Sequence, residues 1–145
     1  MSGIVVGIDG SQNASHALDW AMAEAALRKT QLTAVAVVAV PASAGTGLPA
    51  PVLGDDERVA ATRKSAEAAV QAAAAKLGSA KPESVTVSTV PGFPAEALIE
   101  AANDSDLLVV GARGAGGFAS LLLGSVSNQV VHHVSCPVVV VPAAR

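Results

Sequence analysis

The sequence predicts an α/β domain: an open parallel sheet of five strands with helices on both faces. Three features of the chain lead there. Short apolar runs alternate with stretches of helical periodicity in the order βαβαβαβαβ, and strands separated by helices imply right-handed crossovers and parallel pairing. The 145 residues, 51% hydrophobic and 14% charged, suit a single core and carry too little charge for a disordered chain. No apolar run approaches the ~20 residues of a membrane-spanning helix. The strongest, Leu32 to Val40, has nine residues and meets Pro41.

The elements follow from their spacing. Ile4 to Ile8 reads as a buried strand that stops at the turn Asp9-Gly10-Ser11. Ala14, Ala17, Leu18, Ala21, Met22 and Ala25 then fall on one helical face. Ser11 or Asn13 can cap this helix, and Arg28-Lys29 place positive charge at its carboxyl end. Leu32 to Val40 is a Val-rich strand suited to the sheet centre, and residues 41–56 form a loop of Pro, Gly, Ala and Ser. From Glu57 to Leu77 the chain is Ala-rich with Lys, Glu and Gln, a helix that Gly78 ends. Ser84 to Val90 alternates Val with Ser and Thr as a third strand, leaving Pro91-Gly92 as its loop. Pro94 opens a short helix through Ala102, with Glu96 near its amino end. Leu107 to Val110 is the fourth strand, Leu121 to Val134 the last helix and Pro137 to Val141 the fifth strand. The whole chain is expected to form one domain, 1–145, and no repeat with a period of 20–50 residues divides it.

Charge and composition remove several function classes. Nine basic against twelve acidic residues give a net charge of −3 with no basic stripe, and the aromatics are Trp20, Phe93 and Phe118 alone. A nucleic-acid binder needs a positive footprint or a stacking platform, so nucleic acid is not an expected partner. Met1 to Asp9 has no basic n-region, and the single Cys136 cannot form an internal disulfide. A cytoplasmic location is the expectation. His132, His133 and Cys136 invite a zinc reading. Adjacent helical residues point about 100° apart, however, and no fourth ligand is in sight. Neither a metal site nor a nucleophilic thiol is expected there, and no G-x-S-x-G elbow supports a hydrolase triad. Trp20 flanks the apolar helical face and is read as packing.

The chemistry sits in the glycine-rich segment Gly111-Ala112-Arg113-Gly114-Ala115-Gly116-Gly117-Phe118, directly after the fourth strand. Glycine lets backbone approach a ligand closely. The Gly124-Ser125-Val126-Ser127 turn that follows opens a helix, whose first N–H groups lack intrahelical partners and attract anions. A phosphate chain between loop and turn meets backbone N–H groups on one side and the Ser125 and Ser127 hydroxyls on the other. The P-loop pattern is absent, because Gly117 and Phe118 stand where it requires lysine and a hydroxyl residue. Nor does G-x-G-x-x-G follow the first strand, where the chain reads Gly7-Ile8-Asp9-Gly10-Ser11. Without a loop lysine, charge on a triphosphate falls to N–H groups, Arg113 and a divalent ion.

The spacing Gly111-x2-Gly114-x9-Gly124-Ser125 resembles the nucleotide-binding signature of the ATP-binding branch of the universal stress protein family. The likeness extends to Val-Gly-Ile-Asp-Gly-Ser at the end of the first strand, to Leu-Leu-Gly-Ser-Val before the last helix, and to Ser135-Cys136-Pro137 before a Val-rich strand. The resemblance implies strand order 3-2-1-4-5 and binding of ATP, with Mg2+ held through its phosphates. It implies that Ile8 and Asp9 face the nucleotide and that the Val37 backbone holds the adenine edge. Gly111, Ala112, Arg113 and Gly114 correspond to the ribose and phosphate loop, and Gly124, Ser125, Val126 and Ser127 to the phosphate turn. Ala112 stands where the family often has serine, which leaves the backbone contact and removes a hydroxyl.

In that strand order the apolar Val138 to Val141 lies at a sheet edge, which must pair or risk aggregation; the expected answer is a homodimer through this strand. The functional expectation is a nucleotide-dependent regulatory protein acting through the homodimer and a protein partner the sequence does not name. Three alternatives stand beside it: a slow ATPase, a binder of AMP or cyclic AMP, and a ligand-free interaction module. With no loop lysine and no general base other than Asp9, appreciable turnover is not expected.

Overall fold

The computed structural model describes residues 3–39, 55–112 and 124–142. Its elements are β1 (Ile4–Ile8), α1 (Gln12–Arg28), β2 (Leu32–Ala39), α2 (Asp55–Leu77), β3 (Val85–Gly92), α3 (Pro94–Ala101), β4 (Leu107–Gly111), α4 (Ser125–His133) and β5 (Val138–Val141), with a single 3-10 turn at Gly78–Ala80. All four pairings are parallel, and the strand order is β3-β2-β1-β4-β5. The predicted fold class and order are both present.

Because successive strand residues face opposite sides, the sheet splits its apolar residues between two cores. Ile4, Val6 and Ile8 join Leu18, Met22 and Ala66 under α1 and α2. Val5, Val35, Leu108 and Val110 join Leu98 and Val130 under α3 and α4. Both cores cover the central strands, which explains why β1 and β4 read as near-continuous apolar runs. Lys76 Nζ lies 2.7 Å from Asp19 Oδ2 and links α2 to α1 at the surface, where such a pair contributes little. No helix among the described residues is long and apolar enough to cross a membrane.

Several boundaries differ from expectation for identifiable reasons. Of the two candidate caps for α1, Ser11 takes the role: its Oγ accepts the Ala14 N–H at 3.1 Å. At the other end Lys29 closes the helix in the left-handed region, with φ 56°. Pro91 and Gly92, expected as a loop, belong to β3 and pair with Val38 and Ala39. β3 is an edge strand, with one side free of ladder bonds, which is where a sheet accommodates proline. The last helix begins at Ser125, with Gly124 at its N-cap, whereas helix was expected from Leu121; residues 121–123 lie outside the described residues. Most of the expected 41–56 loop also lies outside them, and Asp55 and Asp56 already belong to α2. Trp20, read from sequence as packing, is 36% exposed and belongs to neither core. Cys136 is only half-buried, its Sγ 3.7 Å from the Ser105 hydroxyl.

Thr89 in β3 carries a buried hydroxyl with no hydrogen-bond partner among the described residues. Leaving such a group unsatisfied costs about 1–3 kcal/mol. Thr89→Val keeps the branched shape and removes the hydroxyl. Urea unfolding should therefore show stability unchanged or raised by about 1 kcal/mol; a loss of that size would mean the hydroxyl has a partner in solution.

Candidate nucleotide site

All five strands run the same way, so their carboxyl ends share one edge of the sheet, where open α/β sheets bind ligands. At the end of β1, Gly10 takes a φ of +83°, which permits the sharp turn into α1. Asp9 Oδ1 accepts the Ser11 N–H at 2.9 Å, an Asx-turn that fixes the carboxylate at the strand tip while the residue stays exposed. Beside it opens a cleft of about 470 Å³ between α1, α2 and the ends of β1 and β2. Ile8, Asp9 and Val37, three of the residues singled out from sequence, line this cleft.

The other residues converge at the end of β4. The Ala112 peptide is held from both sides: its N–H donates to the Val141 carbonyl at 2.8 Å, and its carbonyl accepts the Gly124 N–H. Ser127 Oγ lies 3.1 Å from both the Ala112 and the Gly124 carbonyl oxygens. The Ser127 hydroxyl was expected to face phosphate. It is 2% exposed and bonded to those two carbonyls, so its hydrogen braces the turn. Ser125 is exposed at the first position of α4 and Val126 is half-buried behind it. Gly124 offers no side-chain cap, and the first-turn N–H groups of α4 have no intrahelical partner, the kind of donor that attracts an anion. Ala112 is itself buried, consistent with a backbone role only. Arg113 and Gly114 lie outside the described residues.

One residue that binds the two halves together was not singled out as functional from sequence. Asn13, considered only as a cap, is buried in the first turn of α1, and its Nδ2 donates to the Val141 carbonyl at 3.3 Å. The same carbonyl accepts the Ala112 N–H, so α1, the β4 loop and the end of β5 meet at one oxygen. A β-carbon on Gly111 would lie 3.0 Å from Asn13 Cγ, which is why glycine stands there. The α2 residues of the cleft, Thr62 and Ser65 among them, were also missed; their i, i+3 spacing was the available signal.

A model of the universal stress protein family matches residues 1–142. The chain belongs to the universal stress protein family. It is similar to a universal stress protein of Mycobacterium tuberculosis, with 34% identity over 143 residues covering 96% of this chain and 47% of that protein. One from Mycolicibacterium smegmatis is 37% identical over 142 residues, with 96% and 47% covered. The chain thus spans about half the length of the curated relatives it matches. Among solved structures, a universal stress protein in complex with cAMP superposes with a TM-score of 0.68 and 27% identity, covering 99% of this chain and 98% of that one. Universal stress protein UspA from Lactobacillus plantarum gives a TM-score of 0.75 at 25% identity, with 97% of each chain covered.

Proposed function

We propose that this universal stress protein binds an adenine nucleotide, ATP with Mg2+ foremost, across the carboxyl ends of β2, β1 and β4. The observation that carries the reading is the joint placement of a part-apolar cleft over β1 and β2 and an uncapped helix turn beyond β4, on one sheet edge. The base enters the cleft against Ile8 and the Val37 backbone. The ribose passes Asp9, and the phosphates meet the Ser125 hydroxyl and the N–H groups of Ser125, Val126 and Ser127. Gly111, Ala112, Arg113 and Gly114 complete the phosphate loop. The residues fit this group, since small side chains leave the cleft open and N–H donors face the phosphate end. Mg2+ held through the phosphates would offset the charge that a loop lysine would otherwise meet. That the solved relative at 27% identity is a complex with cAMP supports an adenine ligand.

The protein acts in the cytoplasm as a regulatory homodimer. β5 pairs only with β4 among the described strands, and its four valines are half-buried, leaving an apolar edge for a second copy. Nucleotide occupancy sets which surface is presented to a protein partner. Sedimentation velocity should then give twice the 14.2 kDa of one chain; a single-chain mass at all concentrations contradicts the edge pairing.

A thermal-shift panel with ATP, ADP, AMP and cyclic AMP, each with and without Mg2+, tests the binding. Ligand at ~100 times its dissociation constant adds about 2.7 kcal/mol, or about 5–10 °C in a domain of this size. ATP with Mg2+ should give that shift, and Gly124→Val should erase it. A shift with AMP or cyclic AMP alone reassigns the ligand, and no shift with any of them rejects the reading.

A further inference from the structure

The two edges of the sheet, β3 and β5, are not equivalent. Along a strand, the N–H and C=O of one residue point to the same side, and successive residues alternate sides. The Leu32 N–H donates to the Ser84 carbonyl at 3.0 Å, and the register runs unbroken from Leu32 opposite Val85 to Ala39 opposite Gly92. Residues 84, 86, 88 and 90 therefore bond β2, while Val85, Val87, Thr89 and Pro91 present their backbone groups at the open edge. Val87 and Pro91 are blocked. Arg63 of α2 donates from Nη1 to the Val87 carbonyl at 3.3 Å and is steadied by Glu67 Oε1 at 3.4 Å. Pro91 has no N–H to offer. An added antiparallel strand exchanges both N–H···O bonds at each outward residue, so blocking every second one leaves no consecutive pairs intact. At the other edge, the Leu108 N–H donates to the Pro137 carbonyl at 2.9 Å and the Ala112 N–H to the Val141 carbonyl at 2.8 Å. Residues 137, 139 and 141 thus face β4, and Val138 and Val140 face outward as consecutive pairing positions.

We infer that Arg63 and Pro91 close the β3 edge to strand addition, which confines pairing with a second copy of this chain to β5. The closed edge stands on the backbone geometry; the confinement rests on the homodimer reading above. Across a twofold axis at Val139, Val138 of one copy meets Val140 of the other, and both pairs exchange their bonds. That contact is isologous and uses up both β5 edges. A dimer built this way still ends in a β3 edge on each side. If β3 accepted its own copy, dimers would join end to end without closure, as unprotected edges do. Proline and long basic side chains are the devices that blunt such edges, and here the guanidinium occupies the edge carbonyl itself.

Sedimentation velocity on wild type, Arg63→Ala, Pro91→Ala and the double variant tests the inference. Arg63→Ala frees the Val87 carbonyl, and Pro91→Ala restores the missing N–H. Wild type should stop at the mass of a dimer. The double variant should reach at least twice the wild-type mass and keep growing with concentration. Thr86→Lys in that background puts a charge at an exposed position of the same strand and should return the mass to the wild-type value. Equal masses for wild type and the double variant overturn the inference, as do larger species that Thr86→Lys leaves unchanged. Melting temperatures equal to wild type exclude unfolding as the source of association. If the double variant melts early, Pro91→Ala alone, at an exposed position, makes the same comparison. A wild type that stays at single-chain mass overturns the homodimer reading instead, and the step from wild type to the double variant still decides whether the β3 edge is closed.

Discussion

Valine at position 111 should destabilise the protein by about 3 kcal/mol and weaken nucleotide binding at least tenfold. A β-carbon there lies 3.0 Å from Asn13 Cγ, 3.1 Å from its Oδ1 and 3.2 Å from its backbone oxygen. The side chain of Asn13 could swing aside only by giving up its bond to the Val141 carbonyl, and its backbone oxygen cannot swing at all. It belongs to the first turn of α1, two residues beyond the Ser11 cap. Room for valine therefore means moving the amino end of α1 away from β4. That movement separates the Asp9 turn from the Ala112 loop, the two ends of the proposed ligand path. At about 2–4 °C per kcal/mol, the melting temperature should fall by roughly 6–12 °C. Urea unfolding and an ATP titration check the two effects; wild-type values in both would show that the α1–β4 contact is slack. Gly111→Ala should do the same more mildly.

The second large effect belongs to the opposite face of the sheet. Leu98 of α3 is 5% exposed, and its Cδ1 and Cδ2 atoms seat directly over Gly7 of β1, where a β-carbon would lie 2.8 and 3.0 Å away. Leu98→Ala removes that contact and leaves a cavity, at a cost of about 2–5 kcal/mol. Gly7→Ala alone overpacks the same spot and should cost about 1–3 kcal/mol. Residues that share one space do not add. The double variant should therefore be more stable than the sum of the two losses predicts, because the new methyl occupies part of the cavity. Additivity within about 0.5 kcal/mol would mean the two sites do not share that space.

The difference between these two glycines and their neighbours marks what the sequence could reveal. Apolar runs and helical spacing placed every described strand and helix, because those patterns record which face each local segment buries. The Ser11 cap and the Gly78 stop were visible for the same reason: each acts within a few residues of itself. Asn13 was ambiguous because its partner, the Val141 carbonyl, lies 128 residues away and belongs to the backbone, which leaves no trace in side-chain pattern. Ser127 looked like a phosphate ligand because its position in the motif is right; only the fold turns its hydroxyl onto the Ala112 and Gly124 carbonyls. Thr62 and Ser65 were passed over because an Ala-rich helix signals propensity strongly and hides which of its faces meets α1. Gly7 read as one more apolar strand residue, and its need for space arises from Leu98, on a helix far downstream in the chain.

The central claim, that an adenine nucleotide lies across the carboxyl ends of the strands, has a direct spatial test. Backbone amide resonances of isotope-labelled, nucleotide-stripped protein can be followed during titration with ATP and Mg2+. The account predicts that Gly10, Ser11, Val37, Ala112 and the Gly124–Ser127 turn shift together, with Thr62 and Ser65 among them. Gly3, Gln31 and Asp106, which interlock at the opposite end of the sheet through the Ile4 to Gln31 and Asp106 to Gly3 hydrogen bonds, should stay in place. Shifts concentrated at that opposite end, or a saturating titration that moves none of the carboxyl-end amides, would contradict it.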